Sequence, residues 1–203
     1  MRRLSLVSVI LSGVALALPS LAPAARADAA SDQAEAAKID RNVKSALAGL
    51  YKTVPGSKEL AANAKGTLVF PAVYKAGFIV GGQYGKGALR VRGKSVAYYN
   101  TAGASFGLLA GAQKRSMVAM FQTKEALEHF RASDGWDVGG DASVTLVDLG
   151  ATGSINAATK NKPILVFVYG NEGLMADASL KGTKVTKLDL PASTATGSST
   201  PTH

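Results

Sequence analysis

The stretch KAGFIVGGQYGKG, residues 75–87, sets five glycines among Phe78, Ile79, Val80 and Tyr84. It can be a phosphate-gripping loop, a place where the chain turns, or a strand whose glycines let neighbouring backbones come close. A phosphate loop needs G-x-x-x-x-G-K-[ST] between a strand and a helix. Gly85-Lys86 has Val80 where the first glycine belongs, and Gly87 follows the lysine. Gly93-Lys94-Ser95 has the right ending, but Gly87 is one residue too far upstream. Strand and turn remain, with glycines that let backbones approach and bend.

The same grammar extends outward. Nineteen of the 22 glycines fall between Gly56 and Gly182. Between them run TLVF, GFIVGG, ALRVR, SVAYY, SFGLLAG, SMVAMF, SVTLVDL, PILVFVYG and LMADASL. Many short apolar segments with glycine punctuation predict a mostly antiparallel β-sandwich or barrel-like sheet. Ahead of it, Ala34, Ile39, Val43, Ala46, Leu47, Leu50, Tyr51 and Val54 recur at threes and fours, with Lys38, Arg41, Lys44 and Lys52 between them. That spacing predicts an amphipathic helix ending at Pro55-Gly56, whose apolar stripe packs on the domain or enters a membrane interface. Ser57 is expected to cap a second helix through Asn63, and Thr123 a third over KEALEHFRAS. The expected fold class is therefore α+β.

The first residues read as a leader. Met1-Arg2-Arg3, an apolar run from Leu4 to Leu18 and Ala25-Arg26-Ala27 make a secretory signal pattern, with cleavage expected after Ala27. The expected organisation is a signal peptide over 1–27 and a single domain over 28–190. Within that domain, 30–64 is helical and 65–190 is the glycine-rich β region, followed by a disordered tail over 191–203. A periplasmic or secreted location follows from this reading. Past residue 27 the chain holds 20 basic and 14 acidic residues. That excess points to anionic partners, and lipid headgroups come before nucleic acid in such a compartment.

Catalytic motifs are weak. Gly103-Ala104-Ser105-Phe106-Gly107 matches the nucleophile elbow, which must join a strand to a helix and be followed by an acid and then a histidine. Leu108 to Gln113 reads as strand, and His203 sits on the tail. A serine hydrolase at Ser105 is thus a remote alternative. The chain has no cysteine and one internal histidine, His129, so no metal site, cofactor or enzymatic activity is expected. In KGALRVRGKS, Lys86, Arg90, Arg92 and Lys94 occupy even positions and share one face if the strand is regular. That face is either a solvated strand edge or an anion-binding patch.

Four ordered blocks carry a resemblance: AKGTLVFPAVYKAGFIVGGQYGKGAL (64–89), GASFGLLAGAQ (103–113), DGWDVGGDASVTLVDLGATGS (134–154) and NKPILVFVYGNEGLMADASLKGTKV (161–185). Together the chain resembles a SYLF domain, the lipid-binding and actin-regulating family, in its bacterial exported branch. The resemblance implies a lipid-binding module and puts a lipid-contacting role on the helix around Lys38, Arg41 and Lys44. The hairpin cations Lys86, Arg90, Arg92 and Lys94 are added from their spacing. The expected partners are anionic phospholipid or envelope lipid headgroups, with an envelope protein partner as the alternative. No nucleic acid is expected, and no actin in an exported compartment.

Overall fold

The computed structural model describes residues 22–147, 155, 157–173 and 180–192. The apolar run Leu4–Leu18, most of LMADASL and most of the tail lie outside them. Helix α1 spans Ala22–Thr53 and α2 spans Ser57–Asn63, followed by strands β1 (Gly66–Val91) and β2 (Lys94–Phe121). Helix α3 (Lys124–Ala132) leads into β3 (Trp136–Asp137) and β4 (Val144–Leu146). A single turn of helix, α4 (Ala157–Lys160), precedes β5 (Ile164–Gly173) and β6 (Thr183–Leu188). The fold is α+β, as the glycine and apolar patterning predicts.

The strands are organised differently from the expectation of many short segments. TLVF, GFIVGG and ALRVR are parts of one strand, and SVAYY, SFGLLAG and SMVAMF are parts of another. These two pair antiparallel along their whole length, from Gly66 opposite Phe121 to Val91 opposite Lys94. On its other edge β2 pairs antiparallel with β5 near its end and with β6 near its start. Strand β3 extends the sheet beyond β6, and β4 lies parallel to β5.

A hairpin this long cannot stay flat, because strand twist accumulates and irregularities in register bend it. Register shifts fall between Phe70 and Val73 and between Phe78 and Val80, and the sheet curls into a half-barrel. The curl brings β1 against itself. A Cβ at Gly87 would stand 2.1 Å from the carbonyl oxygen of Val69, so only glycine permits the approach. The opening stretch is strand throughout, and Gly87 serves close packing rather than a turn.

Both faces of the sheet are covered. Val69, Val118, Met120, Leu165 and Phe167 join Ile39, Val43, Leu47 and Leu50 of α1, and Val54 just after it, in one core. Their neighbours Leu68, Phe70, Met117, Ala119, Phe121, Ile164 and Val166 point the other way and pack with Leu127 and Phe130 of α3 and with Trp136. Two-sided burial explains why these strands read as continuous apolar runs without alternation. On the α3 side the rings of Tyr99, Phe121, Phe130 and Trp136 pack at centroid distances of 4.9 to 5.7 Å.

The helices depart from expectation at their ends. α1 begins at Ala22 and runs without a break through Ala25-Arg26-Ala27, ahead of the start expected near residue 30. Ala34 is exposed, and Ala36 takes the buried place beside Ile39. Thr123 does cap α3, accepting a hydrogen bond from the Ala126 amide at 3.2 Å. Ser57 does not cap α2. Gly56 is the N-cap, and the buried Ser57 hydroxyl donates back to the Val54 carbonyl at 2.6 Å, tying α2 to the end of α1.

Candidate functional site

α1 lies along the second half of β1, and the seam between them gathers polar and charged groups. At its N-terminal end Lys86 forms an ion pair and hydrogen bond with Glu35. That bond raises the Lys86 pKa, against the smaller opposing effect of burial. One turn further on, the Tyr98 hydroxyl donates to Asp40 at 3.1 Å. Burial, with the Asp40 charge and hydrogen bond adding to it, raises Tyr98 to about 12. The Tyr169 hydroxyl donates to the Ala46 carbonyl, completing three tethers along α1.

At the other end of the seam the β1–β2 hairpin closes in a two-residue turn. Arg92 and Gly93 both have positive φ, 51° and 78°. Two left-handed residues match the twist of the flanking strands, although arginine is an uncommon occupant of the first position. The turn lifts Arg92 off the strand, and a register shift between Leu89 and Arg90 breaks the ladder beside it. The expected single face of Lys86, Arg90, Arg92 and Lys94 therefore does not form as a regular strand face. Lys86 and Arg90 instead flank the buried Ala88 on the side facing α1.

Arg90 and Arg92 converge with Lys58 of α2 on a cleft of about 380 Å³. Leu47 and Tyr51 of α1, with Ala61 and Ala62 of α2 and Ala64 just after it, supply its apolar wall, and no acid lines it among the described residues. The Arg90 guanidinium donates to the Gly93 carbonyl, which braces the turn and fixes the cation at the cleft mouth. Burial raises the Tyr51 pKa, and the nearby Arg90 charge opposes that shift. Lys58 is the residue that sequence reasoning missed. It lies beyond the Pro55-Gly56 break, and no spacing rule connects it to residues 90–92.

The remaining cations divide. Lys38 and Lys86 line a second groove on the seam. Arg41, Lys44 and Lys94 are exposed and line neither cleft. The apolar stripe of α1 is spent on the core, leaving its cationic side to solvent.

Ser105 lies inside β2, opposite Gly81, so no strand-to-helix elbow surrounds it. Among the described residues no group of histidine, cysteine, aspartate or glutamate could hold a metal ion. Among the described helices none is long and apolar enough to cross a membrane.

Residues 102–189 match the model of a protein family described as Ysc84, Las17-binding protein actin regulator. The similarity to that family covers 88 of the 203 residues. The match runs from within β2 to the first residue after β6, whereas the clefts on the α1–β1 seam lie before it. No curated protein matches the chain. The Ysc84 description corrects three expectations. It names an actin regulator, so the exclusion of actin from the partners does not stand. The periplasmic or secreted location on which that exclusion rested falls with it, as does the signal-peptide reading. Homology to Ysc84/SYLF agrees with a non-enzymatic module.

Proposed function

We propose that the protein is a non-enzymatic binding module that takes anionic lipid headgroups into the cleft between α1, α2 and the β1–β2 turn. The observation that carries this reading is the convergence of Lys58, Arg90 and Arg92 on one cleft with no acid in its wall among the described residues. Guanidinium groups match phosphate oxygens in paired hydrogen bonds, and a lysine adds a mobile point charge. Leu47, Tyr51 and the alanines offer an apolar wall for the less polar part of such a ligand. At roughly 1 kcal/mol for each basic residue near a charged surface, three cations supply about a hundredfold enrichment. The exposed Lys38, Arg41, Lys44 and Lys94 contribute to the general field rather than to the cleft. Binding of this size is reversible and weakens with salt.

The test is sedimentation with neutral phosphatidylcholine vesicles and with vesicles containing phosphatidylglycerol, across a salt series. Binding to the anionic vesicles alone, fading as salt rises, is the expected result. The double variant Arg90→Glu, Arg92→Glu is expected to lose about tenfold or more in affinity while keeping the circular dichroism of the parent. Unchanged vesicle binding by that folded variant would sink the assignment.

The family description favours one other reading, in which the chain regulates actin through a protein contact. A change in actin assembly rate on adding the chain, together with salt-tolerant complex formation and no vesicle binding, would establish it over the lipid reading.

A further inference from the structure

The second groove on the seam differs chemically from the anion cleft. It has a volume of about 260 Å³ and is flanked by Tyr74 and Tyr84, which keep 58% and 46% of their surface in solvent. Large exposed aromatic groups beside a concavity mark binding surfaces more often than isolated ones do. Across the groove, Lys38 and Asn42 stand one turn apart on α1. Glu35 lies beside them, held by Lys86. The groove therefore offers aromatic rings, a side-chain amide that both donates and accepts, and the Glu35 carboxylate in its ion pair with Lys86. Among the described residues no acid pairs with Lys38, so two lysines and one glutamate leave one positive charge in excess.

The geometry points to a binding site for an acidic saccharide. A pyranose has an apolar C–H face that packs on a tyrosine ring and a rim of hydroxyls, each able to donate and accept. Asn42 and the Glu35–Lys86 pair provide the mixed partners that such a rim requires, and Lys38 takes the sugar carboxylate. The volume lies below the roughly 300–1,000 Å³ of pockets for drug-sized ligands, which suits one or two sugar rings. A proline-rich peptide also stacks on tyrosines, but its apolar rings use neither the ion pair nor Lys38. This site goes beyond the anion cleft and stands whether or not that cleft binds lipid.

The experiment uses the full chain, with trigalacturonic acid as the acidic probe and maltotriose as the neutral one, followed by calorimetry and by amide NMR shifts. Trigalacturonic acid is expected to shift residues 35–42 and 71–86 and to bind about tenfold more tightly than maltotriose. Tyr84→Ala is expected to weaken both sugars about tenfold, and Lys38→Ala to remove the preference for the acidic one while leaving maltotriose bound. Both side chains are exposed, so neither change disturbs the core. Lys124→Ala, on α3, is expected to leave binding as in the parent. The proposal is overturned by the absence of heat and shifts with either sugar, by saccharide binding that Tyr84→Ala and Lys38→Ala leave intact, or by a polyproline decamer occupying the groove where sugars do not.

Discussion

At Gly87 a single methyl group decides whether the sheet can curl. A Cβ there would lie 2.1 Å from the Val69 carbonyl oxygen and 2.7 Å from the Phe70 ring, both in the buried core. Neither neighbour can retreat without moving β1, so Gly87→Ala is expected to cost about 3 kcal/mol or more in urea unfolding. Gly93, at φ 78° with open space around it, poses the opposite case. There the obstacle is backbone conformation alone, and Gly93→Ala is expected to cost about 1 kcal/mol. Its neighbour Arg92 occupies the left-handed region at φ 51°. Asparagine tolerates that region better, so Arg92→Asn is expected to stabilise the fold by several tenths of a kcal/mol while weakening vesicle binding. A thermal melt and the sedimentation assay, run on one preparation, check both halves. Glycine density was legible in the sequence, but the partner of Gly87 lies 18 positions away, and no local pattern names it.

The element that matters most to the proposed sites is α1. Its tethers to the sheet include two groups whose pKa values rise on folding, Lys86 through Glu35 and Tyr98 through burial and Asp40. A raised folded pKa means that the unfolded chain gives up its proton first. The stabilisation is therefore fully present below the ordinary values near 10 and is lost as pH climbs through the folded ones. α1 is expected to loosen in the alkaline window from about pH 10 toward 12, where tyrosinate absorbance and hydrogen exchange of α1 amides should rise together. Exchange that stays flat while tyrosinate forms would show that the tethers do not hold the helix. The periodicity of α1 was readable because a 3.6-residue repeat records which face is buried. Its span was not, because residues 22–35 contribute no buried apolar side chain among those described, and composition alone suggested a boundary at Ala27.

On the scale of the whole molecule, α1 is part of the core rather than an appendage. Ile39, Val43, Leu47 and Leu50, with Val54 just after the helix, pack in the core against one face of the sheet. At about 1.5–3 kcal/mol for each buried side chain, these five contribute an amount comparable with the whole stability of an ordinary domain, roughly 5–15 kcal/mol. A chain shortened to residues 55–192 is thus expected to lose cooperative unfolding and to bind dyes that report exposed apolar surface. A cooperative transition in the shortened chain would instead mark α1 as a detachable element, free to enter a membrane interface. The same packing explains why the cationic side of α1 remains outward. It also explains how α2, turned back at Pro55-Gly56, carries Lys58 to the hairpin arginines.

The sequence by itself determined the fold class, the helical period of α1, the Thr123 cap of α3 and the excess of positive charge. Each of these follows from local chemistry: helical period, a threonine at an N-terminus, apolar runs between glycines, a count of charges. Tertiary structure alone decided that six apolar segments are two continuous strands, that Gly87 faces Val69, and that Arg92 leaves the strand to meet Lys58. Those outcomes depend on the curl of the sheet and the placement of α1 across it. They join residues far apart in the chain, a relation that the order of residues does not display.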